Sequence, residues 1–113
     1  QPAPMGAMSK LTTPKAIERS PEAQARLDVI TRDLVLYQYK TCPFCMKVRR
    51  RIARLGLNIE KRDAQYDATS RTALEQQGGQ IKVPCLRITD AQGQVQWMYE
   101  SNDIIQYLQQ RFS

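Results

Sequence analysis

The sequence predicts an α/β fold in the order β-α-β-α-β-β-α, a four-stranded mixed sheet flanked by helices. Three observations predict it. Leu34-Val35-Leu36-Tyr37-Gln38-Tyr39 is an almost unbroken apolar run, which suits a strand covered on both faces in a parallel βα unit. From Pro43 to Leu55, the apolar residues Phe44, Met46, Val48, Ile52 and Leu55 mostly recur at helical spacing. That pattern leaves Lys47, Arg49, Arg50, Arg51 and Arg54 on the wet side of a helix. Val83 to Ile88 and Val95 to Tyr99 flank the turn Asp90-Ala91-Gln92-Gly93 and read as a hairpin.

The remaining elements follow in order. Residues 1–33 form an N-terminal stretch outside the main domain, which is expected over 34–113. Residues 1–8 read as a tag remnant, since Gly6-Ala7-Met8 resembles a protease-site scar. Residues 9–33 are polar and peripheral, broken by Pro14 and Pro21. Ser20 can cap a short helix from Pro21 to about Thr31, with Pro21 in its first turn. Ala25, Leu27 and Ile30 are its expected half-buried residues. Lys40-Thr41-Cys42 makes the turn into the first helix of the domain, and Gly56 stops that helix. Asn58 to Arg62 is expected as the second strand, and Thr69 to Gln77 as a helix ended by Gly78-Gly79. Ser101 can cap a last helix with Ile104, Ile105, Tyr107, Leu108 and Phe112 on one side.

A chain of 113 residues, 42% hydrophobic and 25% charged, is long enough for one core and too short for two. Its charge of +6 is local: from Lys40 to Arg62 there are eight Lys/Arg against a single acid, Glu60. A basic surface attracts anions of every kind. Aromatic residues do not interleave with the cations as a base-stacking platform would require, so nucleic acid is not expected and a small anionic ligand is the narrower fit. No apolar run approaches the roughly 20 residues of a membrane span. A cytoplasmic location is expected, with membrane attachment only if a tether precedes the domain. Histidine is absent, which removes Ser-His and Cys-His catalysis and most zinc chemistry.

The chemistry points to the cysteines Cys42, Cys45 and Cys85. Disulfide exchange needs a thiolate, and a free cysteine at about pKa 8.5 is mostly protonated near neutrality. Cys42 lies after a strand and at the start of a helix, where free N–H groups and the helix dipole favour an anion. Lys40 adds positive charge two residues earlier. Cys45 is one helical turn on, within reach of Cys42, and more buried. This asymmetry makes Cys42 the attacking sulfur and Cys45 the resolving one. On residue grounds alone the pair also fits half of a metal site shared between two chains. Cys85 reads as a small core residue, or as a third redox thiol.

Cys42-Pro43-Phe44-Cys45 resembles a dithiol glutaredoxin active site. Val83-Pro84 resembles the Val-Pro of the thioredoxin superfamily, whose proline is cis and faces the catalytic cysteine. Glu100-Ser101 followed by Ile104 resembles the Glu-Ser turn in the N-terminal domain of glutathione transferases. Taken singly, Val83-Pro84 also fits a trans proline opening an edge strand, and Glu100-Ser101 an ordinary helix cap. Together they cover about Leu34 to Phe112, in the family order.

The resemblance implies a thioredoxin-like fold and a glutathione groove. Val83, followed by Pro84, would pair its backbone with the cysteinyl part of glutathione. Glu100 and Ser101 would hold the γ-glutamyl end, and Lys40 with Lys82 would meet the glycyl carboxylate. Phe44 belongs to the same expected site. The implied activity is glutathione-dependent reduction of protein disulfides or glutathione mixed disulfides by a monomer, with no resident metal. The alternative is a dimeric, cluster-binding glutaredoxin-like protein without reductase turnover, in which glutathione and Cys42 ligate a bridging iron–sulfur cluster. Pro43 argues against it, because cluster-binding relatives favour less rigid residues there. The chain ends at Ser113, so the helical domain of a transferase, and conjugating activity with it, are not expected.

Overall fold

All five residues of β1, Leu34–Gln38, are buried, as a strand covered on both faces requires. The computed structural model describes residues 16–113; the expected tag remnant at 1–8 lies outside them. Around β1 stand β2 (Glu60–Asp63), β3 (Cys85–Thr89) and β4 (Val95–Met98) in the sheet order β2-β1-β3-β4. β1 pairs parallel with β2 and antiparallel with β3, and β3 pairs antiparallel with β4. The sheet is thus mixed and four-stranded, and among the described residues four helices stand about it: α1 (Pro21–Thr31), α2 (Pro43–Arg54), α3 (Ala68–Gly78) and α4 (Ser101–Phe112).

Alternation along β1 divides the interior in two. Leu34 and Leu36 face a core built with Val48 and Ile52 of α2 and Ile104 and Leu108 of α4. Val35 and Tyr37 face the opposite side, toward Ala64, Leu74 of α3 and Cys85. α2 and α4 lie side by side and run in the same direction. Lys47 Nζ donates to Asn102 Oδ1 at 2.8 Å near their starts, and Arg51 Nη1 to Gln109 Oε1 at 3.0 Å further along. Both helices therefore present their amino ends at one end of the sheet.

The strand bounds move where polar residues carry the pairing. β2 is Glu60-Lys61-Arg62-Asp63, shifted toward the carboxyl end of the expected Asn58 to Arg62. Its apolar anchors, Leu57 and Ile59, are buried just ahead of the ladder. In α2 the inward stripe is Cys45, Val48 and Ile52, so Phe44 and Met46 stand out at 60% and 47% exposure rather than joining the core. α1 turns inward through Leu27 and Thr31, one helical turn apart. Ala25 and Ile30, expected to be half-buried, are exposed.

Residues 16–33 are tied to the domain. Leu27 belongs to the main core. The Arg19 guanidinium donates to the Leu55 carbonyl at 2.6 Å and to the Phe112 carbonyl at 2.9 Å. Those carbonyls lie at the carboxyl ends of α2 and α4, where a cation satisfies free acceptors and complements the dipole. The Ile17 N–H adds a 2.8 Å bond to the Arg54 carbonyl, and Gln24 Nε2 one of 3.0 Å to Gly56. Gly56, at φ +68°, supplies the left-handed turn that ends α2.

Candidate functional site

The sheet register assembles the site. Tyr37 pairs with Cys85 across β1 and β3, and Leu86 with Met98 across β3 and β4. One further step along the first ladder and two along the second set Pro84 between Gln38 and Glu100. The segment before β3 thus lies beside the β1–α2 turn on one side and the β4–α4 turn on the other. Cys42 belongs to the first turn and Glu100-Ser101 to the second. The Val83–Pro84 peptide is cis, the form the resemblance implies.

Cys42 is the N-cap of α2, with extended backbone at φ −71° and ψ 125°, and Pro43 occupies the first helical turn. Its carbonyl accepts the Met46 N–H at 2.9 Å, so the helix starts with Cys42 facing its amino end. Partial burial opposes ionisation of this thiol. The Cys45 N–H, the Cys45 thiol, the Phe44 N–H and the Arg49 guanidinium outweigh it and hold Cys42 below the ordinary cysteine range.

Cys45 has the opposite environment. It is fully buried, and burial pushes its thiol up to about 11. The Tyr39 N–H, 3.5 Å from Cys45 Sγ, pulls the other way without cancelling that effect. A proton held on Cys45 and a negative charge held on Cys42 suit each other: the buried thiol donates to the half-buried thiolate. No disulfide joins Cys42, Cys45 and Cys85 in this structure.

Arg49, expected on the wet side of α2, turns inward. It lies one turn beyond Cys45 on the same helical stripe and is half-buried. Its guanidinium bonds Gln38 Oε1 at 2.8 Å, the Tyr39 carbonyl at 3.3 Å and the Lys40 carbonyl at 2.7 Å. It therefore braces the loop leading into Cys42 and also supplies the cation that acts on the Cys42 sulfur. Sequence reasoning gave that role to Lys40, whose side chain is exposed; Lys40 contributes its carbonyl to Arg49 instead. The available signal was the i, i+4 spacing from Cys45.

The other expected site residues take distinct positions. Phe44 projects into solvent two residues after Cys42. Val83 is half-buried and Pro84 buried. Lys82 Nζ lies 2.5 Å from Glu100 Oε2, so these two exposed residues form an ion pair across the site. Glu100 has φ +70°, a left-handed backbone costly for a side chain other than glycine. Ser101 is buried as the first residue of α4, which brings free helix N–H groups to the same end of the sheet as those of α2.

Cys85 lies behind Pro84 and is fully buried. Burial pushes its thiol up to about 12, and the Tyr99 hydroxyl bonded to it is also raised to about 12 by burial and by Cys85. Cys85 packs in the second core with Val35, Tyr37, Ala64 and Leu74.

Residues 36–113 match the family model described as the N-terminal domain of glutathione S-transferase. No curated protein sequence matches the chain. Among solved structures it resembles the maleylacetoacetate isomerase of Anaeromyxobacter dehalogenans with glutathione bound in its active site. Identity is 26% and the TM-score 0.55, over 70% of this chain and 37% of the isomerase. A trimeric glutathione transferase from Leishmania is 26% identical with a TM-score of 0.58, over 71% of this chain and 18% of that one. Wheat glutaredoxin shares the fold at 23% identity and a TM-score of 0.51, over 80% of this chain and 84% of its own. The chain spans little more than a third of the isomerase it resembles.

Proposed function

This chain belongs to the glutathione S-transferase N-terminal domain family, with its thioredoxin-like α/β fold, and on that premise we propose that it is a glutathione-dependent thiol–disulfide oxidoreductase. The observation that carries the proposal is the pairing of a Cys42 thiol lowered at the amino end of α2 with a buried, protonated Cys45. Disulfide exchange uses both thiols, the first to attack and the second to resolve.

In the proposed reaction the Cys42 thiolate attacks the glutathione sulfur of a protein–glutathione mixed disulfide. The Cys42–glutathione bond forms, the protein–glutathione bond breaks, and the protein leaves as a thiolate that takes a proton from solvent. A second glutathione thiolate then attacks the glutathione sulfur on Cys42, releasing oxidised glutathione and restoring the Cys42 thiolate. Alternatively Cys45 loses its proton and attacks Cys42, expelling reduced glutathione and leaving a Cys42–Cys45 disulfide. Two further glutathiones reduce that disulfide. Each route moves two electrons from glutathione to the target.

Glutathione fits the site by charge and by backbone. Val83 offers a backbone edge to its cysteinyl part. Glu100 meets the γ-glutamyl ammonium, and the N–H groups at the start of α4 meet the γ-glutamyl carboxylate. Lys40 and Lys82 are the cations for the glycyl carboxylate, with Lys82 exchanging its bond to Glu100 for one to the ligand.

The test is a glutathione-coupled assay on a glutathionylated peptide. Cys42→Ser abolishes turnover and Cys45→Ser retains part of it. Full turnover by Cys42→Ser removes the proposal, whereas complete loss in Cys45→Ser makes the dithiol route obligatory.

A further inference from the structure

A groove of about 290 Å³ runs between α2 and α4, lined by Lys47, Arg50, Arg51, Arg54, Asn102 and Ile105. Four of these six residues are cations and none is an acid. Among the described residues the ion pairs are Arg62–Glu60 and Lys82–Glu100, so the groove's cations have no carboxylate partner. Two of them are pre-positioned by neutral groups on α4: Lys47 by Asn102 at 2.8 Å and Arg51 by Gln109 at 3.0 Å. Arg50 and Arg54 are exposed. The catalytic proposal for Cys42 uses none of these four side chains.

We propose that this groove docks an acidic segment of the substrate protein adjoining the disulfide presented to Cys42. The proposal rests on the reductase reading above and names its class of partner. The groove runs along the helix that Cys42 caps: α2 rises by about 1.5 Å per residue, so Lys47 lies roughly 8 Å and Arg54 roughly 18 Å along its axis from Cys42. An extended chain covers that range with about two to five residues. Acidic side chains at those distances from the target cysteine would meet the four cations in turn while the disulfide sits over Cys42. Phe44 and Met46, exposed at 60% and 47%, offer apolar contact at the same end. Two other polyanions fit less well. The groove has no aromatic platform on which bases could stack. Its single apolar residue, Ile105, is half-buried, whereas a helix lying on a membrane needs an apolar face to insert.

The experiment uses two labelled peptides, each with one glutathionylated cysteine. One carries glutamates two to five residues away; its twin carries glutamines. Binding is read by fluorescence anisotropy on the Cys42→Ser protein, and turnover on the wild type. The acidic peptide is expected to bind about tenfold tighter at low salt, with the gain shrinking as salt screens the charges. An Arg50→Gln/Arg54→Gln double variant loses that gain and still turns over a small glutathione mixed disulfide at the wild-type rate. Equal binding of the twins, or a preference that survives in the double variant, overturns the proposal. Equal binding of the twins alongside an Arg50- and Arg54-dependent attachment to phosphatidylserine vesicles also overturns it, in favour of a membrane surface. Absent turnover with acidic preference intact defeats the reductase reading and leaves the groove. Turnover without preference does the reverse.

Discussion

The Arg49 guanidinium lies 2.7 Å from the Lys40 carbonyl, reaching back from the second turn of α2 to the loop that delivers Cys42. One side chain thus sets both the position of that loop and the charge near the sulfur. Arg49→Met removes the charge and the bonds while keeping the stem. Thiolate absorbance against pH should then show the Cys42 pKa rising. Near neutral pH, kcat/KM on a glutathione mixed disulfide should fall about threefold to tenfold as the thiolate fraction drops. Arg49→Lys should fall between, because a point charge cannot serve a planar fork's acceptors. An unchanged Cys42 pKa would leave Arg49 a purely structural brace.

Alkylation should separate the three thiols. Cys42 reacts first, at a pH below that of an ordinary cysteine, because its thiolate forms early. Cys45, at about 11, and Cys85, at about 12, stay protonated and buried. Peptide mapping after brief iodoacetamide treatment near neutral pH should find label on Cys42 alone until the protein is unfolded.

Alkaline pH should weaken the fold through Cys85 and Tyr99. In the folded chain each titrates at about 12, against ordinary values of 9.0 and 10.0. Their contribution is complete below pH 9.0 and disappears as the pH climbs toward about 12, because the unfolded chain gives up these protons sooner. Cys42 acts in the opposite sense: its part is present above the ordinary value and is lost as pH falls through its lowered pKa. Urea midpoints measured from pH 8 upward should decline over that window, and Cys85→Ser, which does not ionise there, should flatten the decline.

Gly78 has no room for a methyl group. A Cβ there would lie 2.5 Å from Tyr99 Oη and 3.0 Å from Trp97 Cε3. Alanine favours the helix by about 1 kcal/mol over glycine, but overpacking against the Trp97 ring costs about 1–3 kcal/mol. Gly78→Ala should therefore destabilise by about 1 kcal/mol, read as a lower urea midpoint at unchanged m-value.

Arg19→Ala should cost about 2 kcal/mol by equilibrium unfolding, since it strips two charge-assisted bonds from partly buried carbonyls. Thiolate titration of Cys42 should not change, because the lost contacts lie at the far ends of α2 and α4.

Much of this was legible in the chain. The apolar run at Leu34, Pro43 at the first turn and Gly56 at the last located β1 and α2, and with them Cys42 at a helix start. What escaped has physical causes. β2 is made of charged residues, so its pairing leaves no hydrophobic signature and only its buried neighbours Leu57 and Ile59 mark it. Phe44 and Met46 look like core by residue type, yet they flank the inward stripe of Cys45, Val48 and Ile52. Arg49 looks like solvent by residue type, yet backbone carbonyls at the end of β1 turn it inward. The Lys82–Glu100 pair joins residues 18 positions apart and depends on the register of β3 and β4.

The double anchorage of Arg19 bears on how this molecule can be cut. A version trimmed back to Leu34, the first residue of the sheet, would lack the guanidinium that stitches Leu55 to Phe112 and the side chain of Leu27 that plugs the base of the larger core. Anyone dissecting the domain should place the incision upstream of Ala16. The stretch of chain that looks most dispensable closes the floor beneath both helices, at the end opposite Cys42.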